Sequence, residues 1–488
     1  MKKTNLLSLV LLMAATMLAG AETRLVPADY SAIQQAINDS NNGDVVIVSP
    51  GTYQENINFL GKSIVVTSTD PNNPEVVATT IIKAILKVRG DVSSIGSVVT
   101  FENGESPEAV LAGFTITKGY GTANYSIPDA DYVFWGAGIY CSNSSPTITC
   151  NVITGNNGPL KIEGNDPEQW RLGYGGGIAC VQSGAIITRN IIQDNSAYAG
   201  AGIMTYLGDA KICNNLIYNN SAFVGGGAVI FGGFLINNTI VSNNANLGGG
   251  GLVGNLYIAC YADFGQTTIL NNSICNAKSG GGVLMEGECS DSAFTFNNVW
   301  GNLPVNYPGI DNNTGQIISD DSADRTGQSG NISQNPCFRE SYHIASYSPC
   351  FNAGDPNYVP YPWQRDIDGE YAVMGVQVDI GADEATDNAR PVANAGPDQH
   401  FDTLVGNVVL DGTGSYDPDI MDVISYQWRQ ISGPNVTLVN PDAAQPNFAP
   451  VIGAVYIFEL IVYDGSSKSA PDSVTIVVSN QTPQPRRR

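Results

Sequence analysis

The sequence predicts an all-β protein: a right-handed parallel β-helix, in which short coils stack into a solenoid, followed by a separate β-sandwich. Three observations predict it. A Gly-rich repeat recurs between Gly136 and Asn302. Each copy holds two short runs rich in Ile, Val and Thr, such as Ala185-Ile186-Ile187-Thr188 and Asn190-Ile191-Ile192, and such runs bounded by Gly, Asn and Ser read as strands. Beyond residue 390 the repeat gives way to short alternating strands around a central Trp, the pattern of two packed antiparallel sheets.

The repeat opens with Gly136-Ala137-Gly138, Gly175-Gly176-Gly177, Gly200-Ala201-Gly202, Gly225-Gly226-Gly227, Gly249-Gly250-Gly251 and Gly280-Gly281-Gly282, each leading into an apolar run. From the third glycine an asparagine falls 13 residues on in three copies, at Asn151, Asn190 and Asn215, with a second five further on at Asn156, Asn195 and Asn220. The clean copies recur every 24 or 25 residues, and a fixed period of this size marks a stacked repeat. Leucines at the fixed offsets of a leucine-rich repeat are missing. Three strands and three turns use about 22–25 residues, so each copy is one coil, with coils about 4.8 Å apart. In-register stacking accounts for the asparagines, because Asn tolerates the left-handed conformation at a turn and stacked Asn side chains bond to one another. The same stacking makes a column of Phe134, Tyr198, Phe223 and Leu247, each four residues before its third glycine, and sets Cys141 over Cys180 in the core.

A coil stack needs a cap over its open edge. Ile33, Ala36 and Ile37 repeat at helical spacing within Asp29 to Asp39, with Asp29 or Ser31 as N-cap. Val45 to Val48 and Ser63 to Thr67 follow as strands, so the coils are expected from about residue 43 to about residue 320.

Residues 1–21 read as a secretory signal: Lys2 and Lys3, an apolar core from Leu6 to Leu18, and the small residues Ala19-Gly20-Ala21. No later stretch is long and apolar enough to span a membrane. The expected location is secreted or at the cell surface. A net charge of −23 and a pI near 4.2 count against nucleic acid and anionic membranes as partners, and suit divalent cations. Nine cysteines in an exported chain allow disulfides and leave at least one thiol unpaired. Cys337 and Cys350 flank a short irregular segment and are the expected pair. No Cys or His spacing marks a zinc site; the histidines are His343 and His400.

From Asn335 the repeat is gone. The chain reads Asn335-Pro336-Cys337-Phe338, Ser348-Pro349-Cys350-Phe351-Asn352-Ala353-Gly354-Asp355, Asp366-Ile367-Asp368-Gly369 and Val378-Asp379-Ile380-Gly381-Ala382-Asp383-Glu384. This resembles the terminal segment of exported bacterial pectin-lyase-like β-helix proteins that carry a choice-of-anchor module. The run Pro50-Gly51-Thr52-Tyr53-Gln54-Glu55-Asn56-Ile57 is similar to their N-terminal strand and turn. The resemblance spans roughly residues 25–385. It implies export and a β-helix, and carries no catalytic residue over. The expected units are a β-helix over 22–334 and its terminal segment over 335–385.

Residues 391–480 form the second unit. Pro391-Val392-Ala393-Asn394-Ala395-Gly396-Pro397-Asp398, Leu410-Asp411-Gly412-Thr413-Gly414-Ser415-Tyr416-Asp417-Pro418-Asp419, Tyr426-Gln427-Trp428 and Tyr456 to Gly465 resemble the polycystic-kidney-disease (PKD) repeat, an immunoglobulin-like module. The resemblance implies a spacer or a module that binds insoluble polysaccharide or protein. Trp428 is expected in its core. Asp417, Asp419 and Asp422 are either turn-forming acids or calcium ligands.

Chemistry is expected where the repeat is interrupted. Gly138 to Gly177 spans 39 residues, and the excess lies at Gly155 to Tyr174; the preceding segment, Gly119 to Trp135, is also long. Equivalent positions on adjacent coils lie side by side, so both insertions should form one patch. It holds Tyr120, Tyr125, Tyr132, Trp135, Trp170 and Tyr174 as rings to stack on sugar faces, and Asp129, Asp131, Asp166 and Glu168 as carboxylates for calcium or sugar hydroxyls. Glu163 adds a further acid. A lyase acting by β-elimination on a uronate needs a base and a cation beside the substrate carboxylate; Lys161 and Arg171, with calcium on the acids, have the required types. A hydrolase built on Asp320-Asp321 lacks a histidine within the coils. Gly51 to Asn56 and Asp131-Tyr132-Val133-Phe134 are similar to pectin methylesterases, but that family's Gln-Asp-Thr and Arg-Pro-Trp elements are missing. Two readings follow: a non-catalytic protein binding extracellular or cell-wall polysaccharide as a surface or adhesion scaffold, and a calcium-assisted polysaccharide lyase.

Overall fold

The computed structural model describes residues 21–85, 96–124, 132–161, 171–245, 252–287, 289, 293–310, 317–319, 323–385, 390–403, 406–418, 423–464 and 467–479. Residues 1–20 of the signal expected over 1–21, Leu247 of the ring column and the Asp320-Asp321 pair lie outside the described residues. The chain forms two compact units, one ending at Ala385 and one beginning at Thr386.

The first unit is a parallel β-helix. Among the described residues it has three long sheets in which every neighbouring pair is parallel. The first holds ten strands, from Thr23–Val26 to Phe294–Thr295, the second nine, from Gly51–Gln54 to Asn298–Trp300, and the third eight, from Ile57–Asn58 to Val283–Gly287. The coils therefore begin some twenty residues before the expected start, because Thr23–Val26 pairs in register with Val45–Val48. They end with the bridge from Asn298 to Ile332. The middle coils carry four strands rather than three. Ile178–Val181 lies in the third sheet, Ile186–Thr188 in the first, Ile191–Gln193 in the second and Ser196–Ala199 in a short fourth.

The core is a set of columns. Ile148, Ile187, Ile212, Leu235, Ile269 and Phe294 stack in the first sheet, and Ile153, Ile192, Ile217, Ile240, Ile274 and Val299 in the second, all at most 3% exposed. Each buried Ile contributes about 1.5–3 kcal/mol relative to an exposed one. Cys141 and Cys180 are register partners in the third sheet and both are buried.

The asparagines form two ladders along the axis. The first runs Asn151, Asn190, Asn215, Asn238, Asn272, Asn297, Asn331. At each rung the backbone N–H and Nδ2 both donate to Oδ1 of the next asparagine, as from Asn190 to Asn215 at 3.0 Å each. Nδ2 also donates to backbone carbonyls, for Asn190 those of Ile148 at 2.9 Å and Thr188 at 3.0 Å. The second ladder runs Asn156, Asn195, Asn220, Asn243, Asn255, Asn302. The left-handed turn residue is not the ladder asparagine but the one before it: Cys150, Arg189, Asn214, Asn237, Asn271 and Phe296 precede the first ladder with φ of 53–57°. One left-handed residue turns the chain between sheets at a cost of roughly 1–2 kcal/mol, and the ladder bonds that follow offset it.

The glycines have separate reasons. Gly136, Gly175, Gly200 and Gly225 have positive φ of 55–74°. The third glycines face the next coil: a Cβ on Gly138, Gly177, Gly202 or Gly227 would lie 2.3–2.6 Å from that coil's carbonyl oxygen.

The helix Ile33–Asp39 packs Ile33, Ala36 and Ile37 against the first coil. Neither Asp29 nor Ser31 caps it. Ala32 is the N-cap residue, and the Glu55 carboxylate accepts the N–H groups of Ile33 and Gln34 at 2.8 and 2.9 Å. A carboxylate from the next coil thus meets the positive helix end.

The terminal segment lies against the coils through the left-handed asparagines. Asn214 donates to the Ala382 carbonyl and accepts from Gln364 Nε2 at 2.7 Å, and Asn271 Oδ1 accepts the Asp355 N–H at 2.8 Å. Its acids are backbone acceptors. Asp379 takes the N–H groups of Asn352 and Ala385, and Glu384 those of Asp379 and Met374. Burial, with Asp379 beside it, pushes the Glu384 carboxyl up to about 9. The expected Cys337–Cys350 disulfide is not formed. Cys350 points inward, where Asn298 Nδ2 donates to its sulfur at 3.3 Å, while Cys337 Sγ bonds back to the Asn335 carbonyl at 3.4 Å in its own turn. The disulfide among the described residues joins Cys260 and Cys289.

The second unit is a sandwich. Ser425–Ser432, Val455–Tyr463 and Asp472–Val478 form an antiparallel sheet, with Gln399–Phe401 added parallel to Asp472–Val478; Val408–Val409 pairs Asn447–Phe448 opposite. Trp428, 4% exposed, sits in the core with Leu410, Phe448, Tyr456, Phe458 and Leu460. Asp419 and Asp422 lie outside the described residues.

Candidate functional site

The two insertions meet in the fourth sheet. Thr122–Asn124 folds back antiparallel on Tyr132–Trp135, and Leu160–Lys161 folds back on Arg171–Tyr174. The two outer strands then pair in parallel, Tyr132 with Arg171 and Trp135 with Tyr174. Parallel stacking continues to Ser196–Ala199 and Ser221–Val224. Backbone positions of Lys161, Arg171 and Tyr132 are therefore consecutive neighbours across three strands. Tyr125, Asp129, Asp131, Glu163, Asp166, Glu168 and Trp170 lie outside the described residues.

Three of the expected rings are placed. Trp135 stacks on Tyr174 with centroids 5.1 Å apart, and Tyr120 meets Phe134 edge-on at 5.5 Å. Tyr198 and Phe223 stack at 5.4 Å. Gly173 separates them from Phe134, since it occupies that column position. A side chain there would strike the folded-back loop, with Gly158 Cα 2.7 Å from a Cβ.

The fourth sheet flanks the outer face of the third, and that face is apolar. Its strands alternate, so the second and fourth positions after the third glycines Gly138, Gly177, Gly202, Gly227 and Gly282 point outward; in the coil of Leu256–Cys260, Asn255 takes the third-glycine place, and Tyr257 and Ala259 hold these positions. The first outward row is Tyr140, Ala179, Met204, Val229, Tyr257, Leu284, at most 9% exposed. Val133, Trp135 and Ala199 from the fourth sheet help to cover it. The next row, Ser142, Val181, Tyr206, Phe231, Ala259, Glu286, is half-buried except at Ala259, which is buried. Rings gather over it from several elements: Trp135 of the fourth sheet lies 6.0 Å from Tyr206, Tyr206 5.7 Å from Phe264 of the 3-10 turn Ala262–Phe264, Phe264 5.0 Å from Phe231, and Phe231 5.8 Å from Tyr257 of the first row.

The stripe ends at a carboxylate. Glu286 Oε2 accepts the Tyr257 hydroxyl at 2.6 Å and the Tyr261 hydroxyl at 3.4 Å. Burial and that hydrogen bond push the Tyr257 phenol well above its ordinary range. Burial, with Tyr198 beside it, pushes Tyr174 up to about 12. Both phenols stay neutral at any physiological pH, and Tyr257 donates to Glu286. Trp135 Nε1 is buried and meets no acceptor among the described residues. Aromatic faces with a few polar groups at their margin suit a ligand whose apolar faces alternate with hydroxyls.

Tyr206, Phe231, Tyr257, Tyr261, Phe264 and Glu286 were not singled out from the sequence. The repeat itself carried the signal for part of them: Tyr206, Phe231 and Glu286 each fall four residues after a third glycine.

Comparison with known proteins places the second unit. Residues 395–478 match the PKD-domain family of KIAA0319-like proteins. The mouse dyslexia-associated protein KIAA0319 homolog is 31% identical over 123 residues, which is 25% of this chain and 11% of that protein. The human dyslexia-associated protein KIAA0319 is 32% identical over 101 residues, 20% of this chain and 9% of that protein. This chain thus spans about a tenth of the curated relatives it matches. The solution structure of the PKD domain from KIAA 1837 protein is 28% identical, covering 20% of this chain and 97% of that one, with a TM-score of 0.18. The crystal structure of pectin methylesterase from Aspergillus niger is 14% identical over 65% of this chain and 91% of that one, with a TM-score of 0.30. The chain therefore pairs a parallel β-helix of its own repeat pattern with a C-terminal PKD domain.

Proposed function

We propose that this is an exported protein that holds polysaccharide along the outer face of its third sheet, with the PKD domain as spacer or second binding module. The observation that supports the reading most is the half-buried ring surface of Tyr206, Phe231 and Phe264, backed by the buried Trp135 and with Glu286 at its end. Register pairing sets Tyr206 and Phe231 one coil apart, and Phe264 widens that surface from the 3-10 turn Ala262–Phe264, a flat area of rings on which a sugar chain can lie. The fitting test is affinity electrophoresis and insoluble-glycan pull-down with neutral and uronic-acid polysaccharides. Tyr206→Ala and Phe231→Ala should weaken binding at least about tenfold while unfolding remains cooperative. Binding that survives both substitutions overturns the stripe as the site.

The lyase reading draws support from the neighbouring backbone positions of Lys161, Arg171 and Tyr132. In that reading Lys161 and Arg171 serve as base and charge neutraliser, and Asp129, Asp131, Asp166 and Glu168 hold calcium. Uronic-acid substrates incubated with calcium, then with chelator, test it. Calcium-dependent ultraviolet absorbance lost in Arg171→Ala supports turnover; no absorbance with any uronate, while glycan binding persists, leaves the binding reading alone.

A further inference from the structure

The terminal segment brings together three side chains that lie far apart in sequence. His343 follows the short 3-10 turn Glu340–Tyr342, Asp368 sits in the Asp366 to Gly369 turn, and Asp383 lies in the closing run. His343 Nε2 is 3.0 Å from Asp368 Oδ2. One donor atom from each of the three lies within 4.8 Å of the others. Both carboxylates are positioned through the backbone. Asp366 Oδ1 accepts the N–H groups of Asp368, Gly369 and Glu370 at 3.1, 2.8 and 2.7 Å and so shapes the turn that presents Asp368. Asp383 Oδ2 accepts the N–H of Ile344 at 2.8 Å, next to His343. Asp383 is only 7% exposed, while the side chains of His343 and Asp368 are 31% and 55% exposed. The cluster has a buried floor and an open mouth.

We propose that His343, Asp368 and Asp383 bind one divalent transition-metal cation of the Zn²⁺ or Mn²⁺ class. An imidazole with two carboxylates suits such an ion, whereas calcium takes oxygen ligands throughout. Three protein ligands with a solvent-facing mouth leave positions for water, so the ion exchanges. The ion ties together three parts of a segment that otherwise has little regular structure.

The experiment uses the full chain stripped with chelator. It is titrated with Zn²⁺, Mn²⁺ and Ca²⁺ by calorimetry and equilibrium dialysis, and its thermal unfolding is followed with each ion. The expected result is one Zn²⁺ or Mn²⁺ per chain, an upward shift of the unfolding midpoint, and no competition from equimolar Ca²⁺. His343→Gln and Asp383→Asn should each weaken binding at least about tenfold; Asp383→Asn keeps an oxygen for the Ile344 N–H, so the fold persists. No stoichiometric binding of either ion overturns the proposal, as does binding unchanged in both variants.

Discussion

Replacing Asn215 by Ala tests the ladder where it is most continuous. The side chain donates to the Ile187 carbonyl at 2.8 Å, the Cys213 carbonyl at 3.1 Å and Asn238 Oδ1 at 3.0 Å. It accepts the N–H and Nδ2 of Asn190, both at 3.0 Å. After truncation Asn190 Nδ2 keeps two carbonyls and Asn238 Oδ1 keeps the Asn215 N–H. The Asn190 N–H loses its acceptor, in a residue 0% exposed. One orphaned buried donor costs about 1–3 kcal/mol, and the two Nδ2 hydrogens of Asn215 make about two net bonds worth about 1 kcal/mol each, so the expected destabilisation is about 3–5 kcal/mol. Repeat arrays can unfold in parts, so the assay combines urea unfolding with hydrogen exchange at the Asn190 amide. The exposed Asn357→Ala is the control, expected within about 0.5 kcal/mol of the parent. A loss under about 1 kcal/mol for Asn215→Ala, or an unchanged Asn190 exchange rate, would refute the reasoning.

Gly202→Ala places a methyl 2.3 Å from the Gly227 carbonyl oxygen and should separate two coils; a loss of roughly 2 kcal/mol or more is expected by thermal unfolding, against none for Gly406→Ala, whose Cβ would meet nothing. Reducing Cys260–Cys289, which spans 29 residues, should cost about 3–4 kcal/mol in the chain-entropy account, measured as a fall in unfolding midpoint with reductant that Cys260→Ser reproduces without it. Asp44 binds the N–H groups of Glu22 and Asn41 and the Arg24 guanidinium; burial raises its carboxyl pKa, but those partners outweigh burial and hold it below 3.8. Its contribution is therefore present above pH 3.8 and lost as pH falls through the lower folded value. Acid titration of the first coil should show that loss, and Asp44→Asn should flatten it.

The repeat made the coil architecture legible because in-register stacking forces one residue type at one offset. Three glycines, an asparagine and a second asparagine announce the turn, the two ladders and the close approach between coils. The Trp at the centre of the second unit was readable as core for the same local reason, strand alternation. The short fourth sheet was not readable: its strands lie just before the glycine entries, in the regular coils at Ser196–Ala199 and Ser221–Val224 as well as in the insertions, and share no fixed apolar pattern. Nor was the helix cap, because Glu55 reaches Ile33 from another coil.

By itself the sequence determined the solenoid, its period, the ladders and the sandwich, since each depends on neighbours a fixed number of residues away. Only the tertiary structure decided which face carries the ring stripe, which cysteines pair and where a metal could sit. Tyr206 and Phe231 become a surface only when the fourth sheet covers the row beside them. Cys260 finds Cys289 because the third sheet sets the strands Leu256–Cys260 and Val283–Gly287 side by side. His343, Asp368 and Asp383 converge through turns held by backbone bonds to acids, a geometry without period and so without a signal along the chain.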